Sequence, residues 1–481
     1  MKRRAAALFV AAVAVLAACT SLGSHRSEEA HHATPLDQYV AAADPAYAWE
    51  PVSDVQGEGC TAHVLKMTSQ TWRTAEDVDR TVWWHWLTII EPDEIRSDIA
   101  LLYIHGGDND DPPPDAIRPV FAGIARATGS VVAELRMVPN QPLRFTGDPD
   151  APRKEDRLIA FAWSRFLNTG DPTWLPRLPM TKSVVRAMDT VTAYFDARAE
   201  REAGPGGVGG GHPRVDRFVV TGASKRGWTT WTTAIVDRRV VAIIPMVIDL
   251  LNVEASFRHH FAAYGFWAPA IHSYVEMGVP DWFGKPQMRR LREIVDPYSY
   301  RDRLTMPKLI INATGDQFFV PDSSQLYYDD LPGEKHLRYV PNADHSMRVG
   351  DVEESVLAFF RAIVTGAPRP DFSWSFEPDG SIRVRPKGTL APREARMWQA
   401  TNPKARDFRL ETLGPAWHDT VLAAEADGSF RAAVPPPASG WSAFFVELTY
   451  GEAGDDAPLK LTTQVRILPD VLPFASPEPR P

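Results

Sequence analysis

A serine hydroxyl is a weak nucleophile unless a histidine takes its proton and a carboxylate fixes the imidazole. Ser224, Asp316 and His345 occur in the order Ser, acid, His, 92 and 29 residues apart. Each closes an apolar run with the character of a β-strand. Ser224 lies in Val219-Val220-Thr221-Gly222-Ala223-Ser224-Lys225-Arg226-Gly227, and a helix-like run from Trp228 to Asp237 follows. Strand, Gly-x-Ser, then helix is the layout of a nucleophile elbow. The usual pattern has glycine two places after the serine; Arg226 stands there, with Gly227 one step later. Asp316 follows the run Leu309 to Asn312 through Gly315, and His345 ends Pro341-Asn342-Ala343-Asp344-His345 after the run His336 to Val340. Asp249, after the run Val240 to Ile248, is an alternative acid, and Asp344 reads as a turn residue bonding nearby backbone N–H groups.

Acyl transfer also needs donors for the oxyanion. The backbone N–H of Lys225 and one from Gly106 or Gly107, in the His105-Gly106-Gly107 loop, are the candidates. Such a donor contributes about 2.7–4 kcal/mol to the transition state. The side chains of Lys225 and Arg226 either favour an anionic substrate or pair with carboxylates on the helix and cap. Arg226, Phe266 and Trp267 are the candidates for substrate contact. His85, within Val82-Trp83-Trp84-His85-Trp86, reads as a packed, hydrogen-bonded histidine. His259-His260 do not make a metal site, because adjacent helical residues point apart and cannot chelate as an i, i+4 pair does. No metal or cofactor is implied.

The elements that must position these groups alternate strand and helix. Strand-like runs at 62–72, 81–90, 99–104, 131–135, 219–223, 240–248, 309–312 and 336–340, with helical runs between several of them, imply a doubly wound, mostly parallel sheet. Ligands bind such sheets at the carboxyl ends of the strands, where all the clusters above lie. Two insertions, about 139–180 and 250–296, interrupt the pattern and are expected to cap the site; the second is dense in aromatics. A helix is expected over Lys182 to Ala199. Beyond Gly366 short alternating runs, among them Ser381 to Val384, Phe408 to Leu413 and Ala443 to Tyr450, predict an all-β sandwich over 368–470. The α/β-hydrolase domain is drawn over 47–367 and a disordered tail over 471–481.

The chain has 481 residues, 44% hydrophobic and 23% charged, enough for two domains with a large core. Its net charge of −9 and the lack of a basic block give no electrostatic case for nucleic acid. Lys2-Arg3-Arg4 and the apolar run Ala5 to Ala18 read as an export signal, too short for a comfortable span. The signal ends in Leu16-Ala17-Ala18-Cys19, a lipobox-like sequence in which Cys19 is lipidated. The stretch 19–46 reads as a tether, and the localisation expected is that of an exported cell-envelope lipoprotein held to a bacterial membrane. Cys60 is then the only internal cysteine, so the exported fold carries no intramolecular disulfide and stands on its core.

Taken together, Val82-Trp83-Trp84-His85-Trp86, Lys154-Glu155-Asp156, Leu178-Pro179-Met180-Thr181-Lys182, Thr221 to Thr230, Pro245 to Asn252, Gly315-Asp316-Gln317-Phe318-Phe319 and Pro341 to His345 resemble the PhoPQ-activated pathogenicity-related protein family. Trp398 to Pro403 with Arg406-Asp407-Phe408 extends the resemblance into the β module, so that it covers roughly 47–474. It implies an α/β-hydrolase fold with a C-terminal β-sandwich. The Gly-x-Ser-x-x-Gly form of the elbow is also similar to that of glucuronoyl esterases. The reading is a serine hydrolase cleaving an ester or amide of a small molecule or peptide. The alternative is a catalytically weak or inactive hydrolase-fold binding or signalling protein of virulence or envelope stress, with the sandwich as the surface for a protein partner.

Overall fold

The computed structural model describes residues 33–203, 214–452 and 454–475. The segment read as an export signal, Cys19, most of the expected tether, the 204–211 glycine run and the last six residues lie outside them. Residues from Thr34 onward form one compact unit.

Nine strands build the first part: β1 (Ala48–Gly57), β2 (Cys60–Thr71), β3 (Val82–Pro92), β4 (Ile99–Ile104), β5 (Val132–Leu135), β6 (Arg217–Ala223), β7 (Val240–Met246), β8 (Lys308–Ala313) and β9 (Lys335–Val340). They lie in the order β1-β2-β3-β5-β4-β6-β7-β8-β9. The first three pair antiparallel, β3 meets β5 antiparallel, and β5 through β9 are parallel. The chain leaves β4 for β5 on one side and places β6 on the other, so the strand order reverses at β4 and opens a crevice at its carboxyl end. With helices on both faces, this is the α/β-hydrolase fold.

The apolar runs explain the layering. A parallel strand covered on both sides reads as a near-continuous apolar run; all six residues of β8 are buried, and of its two polar residues Lys308 donates an Nζ hydrogen to the Pro332 carbonyl. Alternate residues serve opposite faces: Leu102, Ile104 and Val220 pack with Trp163, Trp228 and Trp231 on one side. Leu101, Val219, Ile244 and Ile311 pack with Phe121, Phe359 and Phe360 on the other.

The C-terminal module comprises β10 (Asp371–Phe376), β11 (Ile382–Lys387), β12 (Glu394–Asn402), β13 (His418–Val421), β14 (Phe430–Ala432), β15 (Trp441–Tyr450), β16 (Leu459–Thr462) and β17 (Arg466–Leu468). Strands β10-β11-β14 make a separate sheet. Strands β16-β15-β12-β13 instead continue the main sheet beyond β9, through Thr462 opposite Leu337, with β17 against β15. The inward residues Ile382, Val384, Phe430 and Ala432 of one sheet share a core with Phe444, Val446, Leu448 and Leu461 of the other. This is the facing-sheet arrangement of a sandwich.

Four local expectations are corrected. Phe408 to Leu413, read as a strand, turns into the short helix Leu410–Leu413, because Leu410 N–H is drawn to the Gly315 carbonyl. The helix expected from Lys182 already begins at Arg177 and runs to Ala203. The end of the tether is a helix, Pro35–Ala41, started by a reciprocal Thr34–Asp37 capping box and anchored by buried Leu36 and Val40. At the other end 471–475 is docked rather than free: Phe474 N–H donates to Ala262 O at 2.9 Å, and Leu472 packs on Ala263, Tyr264 and Val320.

Candidate active site

Ser224 is half-buried at the end of β6, with φ 58° and ψ −121°. That left-handed conformation is strained for a residue with a Cβ and holds the side chain at the crest of a tight turn. The turn is fixed by Ser224 N–H to Met246 O at 2.8 Å and by the helix Lys225–Val236 beyond it. The glycines show why this elbow is spaced as it is. A Cβ on Gly222 would lie 2.9 Å from the Arg226 carbonyl oxygen, and one on Gly227 would lie 2.7 Å from Met246 O. Close approach of helix to sheet therefore falls on position 227, one place later than in the common motif, and position 226 is free to carry a long side chain.

His345 Nε2 lies 2.8 Å from Ser224 Oγ, and His345 Nδ1 lies 2.8 Å from Asp316 Oδ2. Register brings the three loops together: β6, β8 and β9 run parallel, with Ala313 opposite Val340. Asp316 is buried and receives the Phe318 N–H at 2.7 Å; His345 N–H is held by Gln317 Oε1, and the Phe318 ring packs on the imidazole at 4.3 Å. Asp344 accepts from Ser346 N–H as a turn residue.

The acid and histidine loops are also stitched to the β module. Gly315 donates to Ala343 O and accepts from Leu410 N–H, each at 2.9 Å, and a Cβ there would meet Leu410 at 2.8 Å. Asn342 exchanges two hydrogen bonds with the Trp417 backbone. Asp322, just beyond the acid loop, is buried between Arg406 at 2.6 Å and His259 at 2.8 Å.

Asp249, the other candidate acid, is turned away from the imidazole. Its carboxyl is buried and accepts from Tyr327 Oη at 2.6 Å and Tyr339 Oη at 2.7 Å. Burial outweighs those bonds and pushes it up to about 7. His85 is fully buried between Ser69 Oγ and the Arg136 carbonyl, and burial lowers it to about 4.

Beside Ser224 a cavity of about 550 Å³, mouth included, runs under the second insertion, with Leu250, Phe257, His260, Ile271 and Tyr274 in its wall. Burial holds His260 down at about 3, so it is neutral and accepts the Ala268 N–H. The insertion thus caps the site, but through other aromatics than those named from the sequence. Phe266 is exposed and stacks on Tyr264. Trp267 packs behind the wall on His260, Phe257 and Phe261. Arg226 is turned the opposite way: it grips Glu155 with two bonds at 2.6 and 2.9 Å and donates to the Val138 carbonyl. Gly106, at the end of β4, is packed against that guanidinium, which a Cβ there would meet at 2.8 Å. Gly107, at φ 140°, leaves no room for a Cβ beside Asp111.

Lys225 Nζ bonds Asp156 at 2.7 Å and Glu155 at 3.1 Å. Of the two readings of Lys225 and Arg226, pairing with cap carboxylates is the one realised. Adjacent Arg226 and Lys225 hold the Glu155 carboxyl well below the usual range despite its burial. Sequence reasoning misses Glu155 and Asp156 as site residues; the two buried cations beside Ser224 demand such partners, and that is the signal that finds them.

The model of the PhoPQ-activated pathogenicity-related protein family matches residues 36–409. The chain belongs to this family. Its relative Autocrine proliferation repressor protein A of Dictyostelium discoideum is 38% identical over 469 residues, 92% of each chain. Among solved structures the chain is similar to acetyl xylan esterases from Thermoanaerobacterium sp. (15% identity, 68% of this chain and 93% of that one, TM-score 0.45) and Paenibacillus sp. R4 (14%, 68% and 92%, 0.47). It is also similar to a glucuronoyl esterase from Solibacter usitatus (15%, 68% and 90%, 0.38). In this family member the elbow, acid and histidine loops all lie within the matched residues.

Proposed function

We propose that the protein is a serine hydrolase that cleaves an ester or amide through an acyl-enzyme, with Ser224 as nucleophile, His345 as base and Asp316 as its orienting acid. The observation that carries this is the unbroken line Asp316 Oδ2, His345 Nδ1, His345 Nε2, Ser224 Oγ, with 2.8 Å at both contacts. With Nδ1–H donated to Asp316, Nε2 is free to accept the serine proton. Oγ then bonds to the substrate carbonyl carbon as the proton passes to Nε2. Collapse of the tetrahedral adduct breaks the bond to the leaving group, which takes that proton from His345, and a water molecule repeats the sequence to release the acid and restore Ser224. The Lys225 N–H and one from the Gly106–Gly107 turn are assigned to the oxyanion.

Reaction with a fluorophosphonate tests the assignment. Labelling should be lost in Ser224→Ala and strongly slowed in His345→Ala; labelling that persists in Ser224→Ala sinks it. The proliferation repressor relative motivates the alternative of a signalling role without turnover. A half-exposed serine paired to histidine favours hydrolysis. We further propose that the protein is exported and held to a membrane through Cys19, on the strength of the leader and lipobox.

A further inference from the structure

The wall of the cavity beside Ser224 contains a cation that forms no salt bridge among the described residues. Arg177 lines it, is 1% exposed, and begins the long helix that follows the first insertion. One amine of its guanidinium donates to the Lys225 carbonyl at 2.7 Å, and the group lies over the Trp228 ring at 4.4 Å. Its Nε is buried without an acceptor. Among the described residues no carboxylate is within ion-pair distance of it.

The neighbouring carboxylates are committed elsewhere. The oxygens of Asp156 are taken by Lys225 Nζ and Tyr274 Oη. Those of Glu155 are taken by Arg226, Lys225 and Gln141. Asp249, the other carboxyl in the cavity wall, is bound by two tyrosines and largely protonated below about pH 7. Arg177, Lys225 and Arg226 therefore face Glu155 and Asp156 with one positive charge in excess. Removing a guanidinium from water without a carboxylate is costly, and burial lowers Arg177 to about 10. A core position filled for packing alone would not keep such a group.

Arg177 shares the cavity wall with Ser224, Trp228 and Tyr274, so a substrate group reaching from the serine can meet the guanidinium.

Resting on the hydrolase reading above, we propose that this cavity is a specificity site for a substrate group ending in a carboxylate, with Arg177 as the residue that meets its charge. The carboxylate takes the guanidinium edge not used by Lys225 O, while the ester carbonyl stays at Ser224 Oγ. The carboxylate belongs to the acyl side or to the alcohol side of the scissile bond, and the two require different substrates.

The test compares isosteric ester pairs on the full chain: monomethyl succinate against methyl 4-methylpentanoate for the acyl side, and acetoxyacetate against isobutyl acetate for the alcohol side. A hydrogen-bonded charge pair is worth about 1.5–3 kcal/mol, so kcat/KM should favour the anionic member of one pair about 10- to 100-fold. That ratio should collapse in Arg177→Gln, which keeps a donor for Lys225 O, and recover in part in Arg177→Lys. Equal or inverted ratios in the wild type, or a ratio unmoved by Arg177→Gln, overturn the proposal. Binding is read separately from turnover: succinate should raise the thermal midpoint of the wild type and not of Arg177→Gln, and an equal shift in both overturns it. Turnover of neutral esters without anionic preference removes this inference alone, whereas fluorophosphonate labelling that survives Ser224→Ala removes the hydrolase reading.

Discussion

Replacing Asp249 by asparagine separates a buried structural acid from a catalytic one and carries a signature in pH. The carboxyl is 2% exposed and bonded by two tyrosine hydroxyls, and it titrates at about 7 against 3.8 for an ordinary aspartate. The unfolded chain releases this proton near pH 4, while the folded protein keeps it until about pH 7. The folded state thus binds more protons across that interval, and stability falls as pH rises through it, levelling off above pH 7. At about 1.4 kcal/mol per pH unit, the gap from 3.8 to about 7 is worth about 4 kcal/mol. An asparagine side chain cannot titrate, so the variant lacks this component. Denaturant unfolding of both proteins at intervals from pH 4 to 8 should show the variant gaining about 4 kcal/mol relative to wild type, nearly all of it below pH 7. Whatever hydrogen bonding asparagine loses offsets the two curves without changing how they diverge. Ester hydrolysis should survive, whereas Asp316→Asn should lower kcat about 10⁴-fold by leaving the imidazole in the wrong tautomer. Parallel stability curves would refute the linkage, and loss of activity in Asp249→Asn with Asp316→Asn active would transfer the triad acid to Asp249.

Three further outcomes are expected. Gly227→Ala puts a methyl 2.7 Å from Met246 O and should cost about 1–3 kcal/mol in chemical denaturation; an unchanged midpoint would refute the close-packing account of the shifted glycine. Asp322→Ala leaves buried Arg406 and His259 without their carboxylate and should cost about 3–5 kcal/mol, whereas a loss near zero would mean that the ion pair is dispensable. Cys19→Ala should abolish incorporation of labelled palmitate and move the protein from the membrane to the soluble fraction; an unlabelled, soluble wild type contradicts the anchor.

The order Ser224, Asp316, His345 was legible because each residue closes a locally recognisable apolar strand, and parallel strands gather their carboxyl ends by construction. The partners of Lys225 and Arg226 were not legible, since Glu155 and Asp156 arrive from an insertion whose path is set by tertiary packing alone. Arg177 was hidden for a related reason: an arginine at the start of a helix has the pattern of an exposed residue, and only the folded insertion buries it. Phe266 and Trp267 were singled out from an aromatic-rich run without a period that could say which rings face inward. In the β module, the alternation of Ser381 to Val384 and Ala443 to Tyr450 was visible, but the contact of Thr462 with Leu337 joins segments 125 residues apart, and no local pattern encodes it.

That contact changes what the C-terminal module is for. A strand with no neighbour on one side offers a row of free amides and carbonyls to any other chain. Strand β9, which delivers the histidine loop, would be such a strand if the protein ended near Gly366. The module covers part of that edge from within the same polypeptide, at Leu337 and Tyr339. Shortened forms of the protein should accordingly fail first by self-association, with catalysis lost as a result of aggregation.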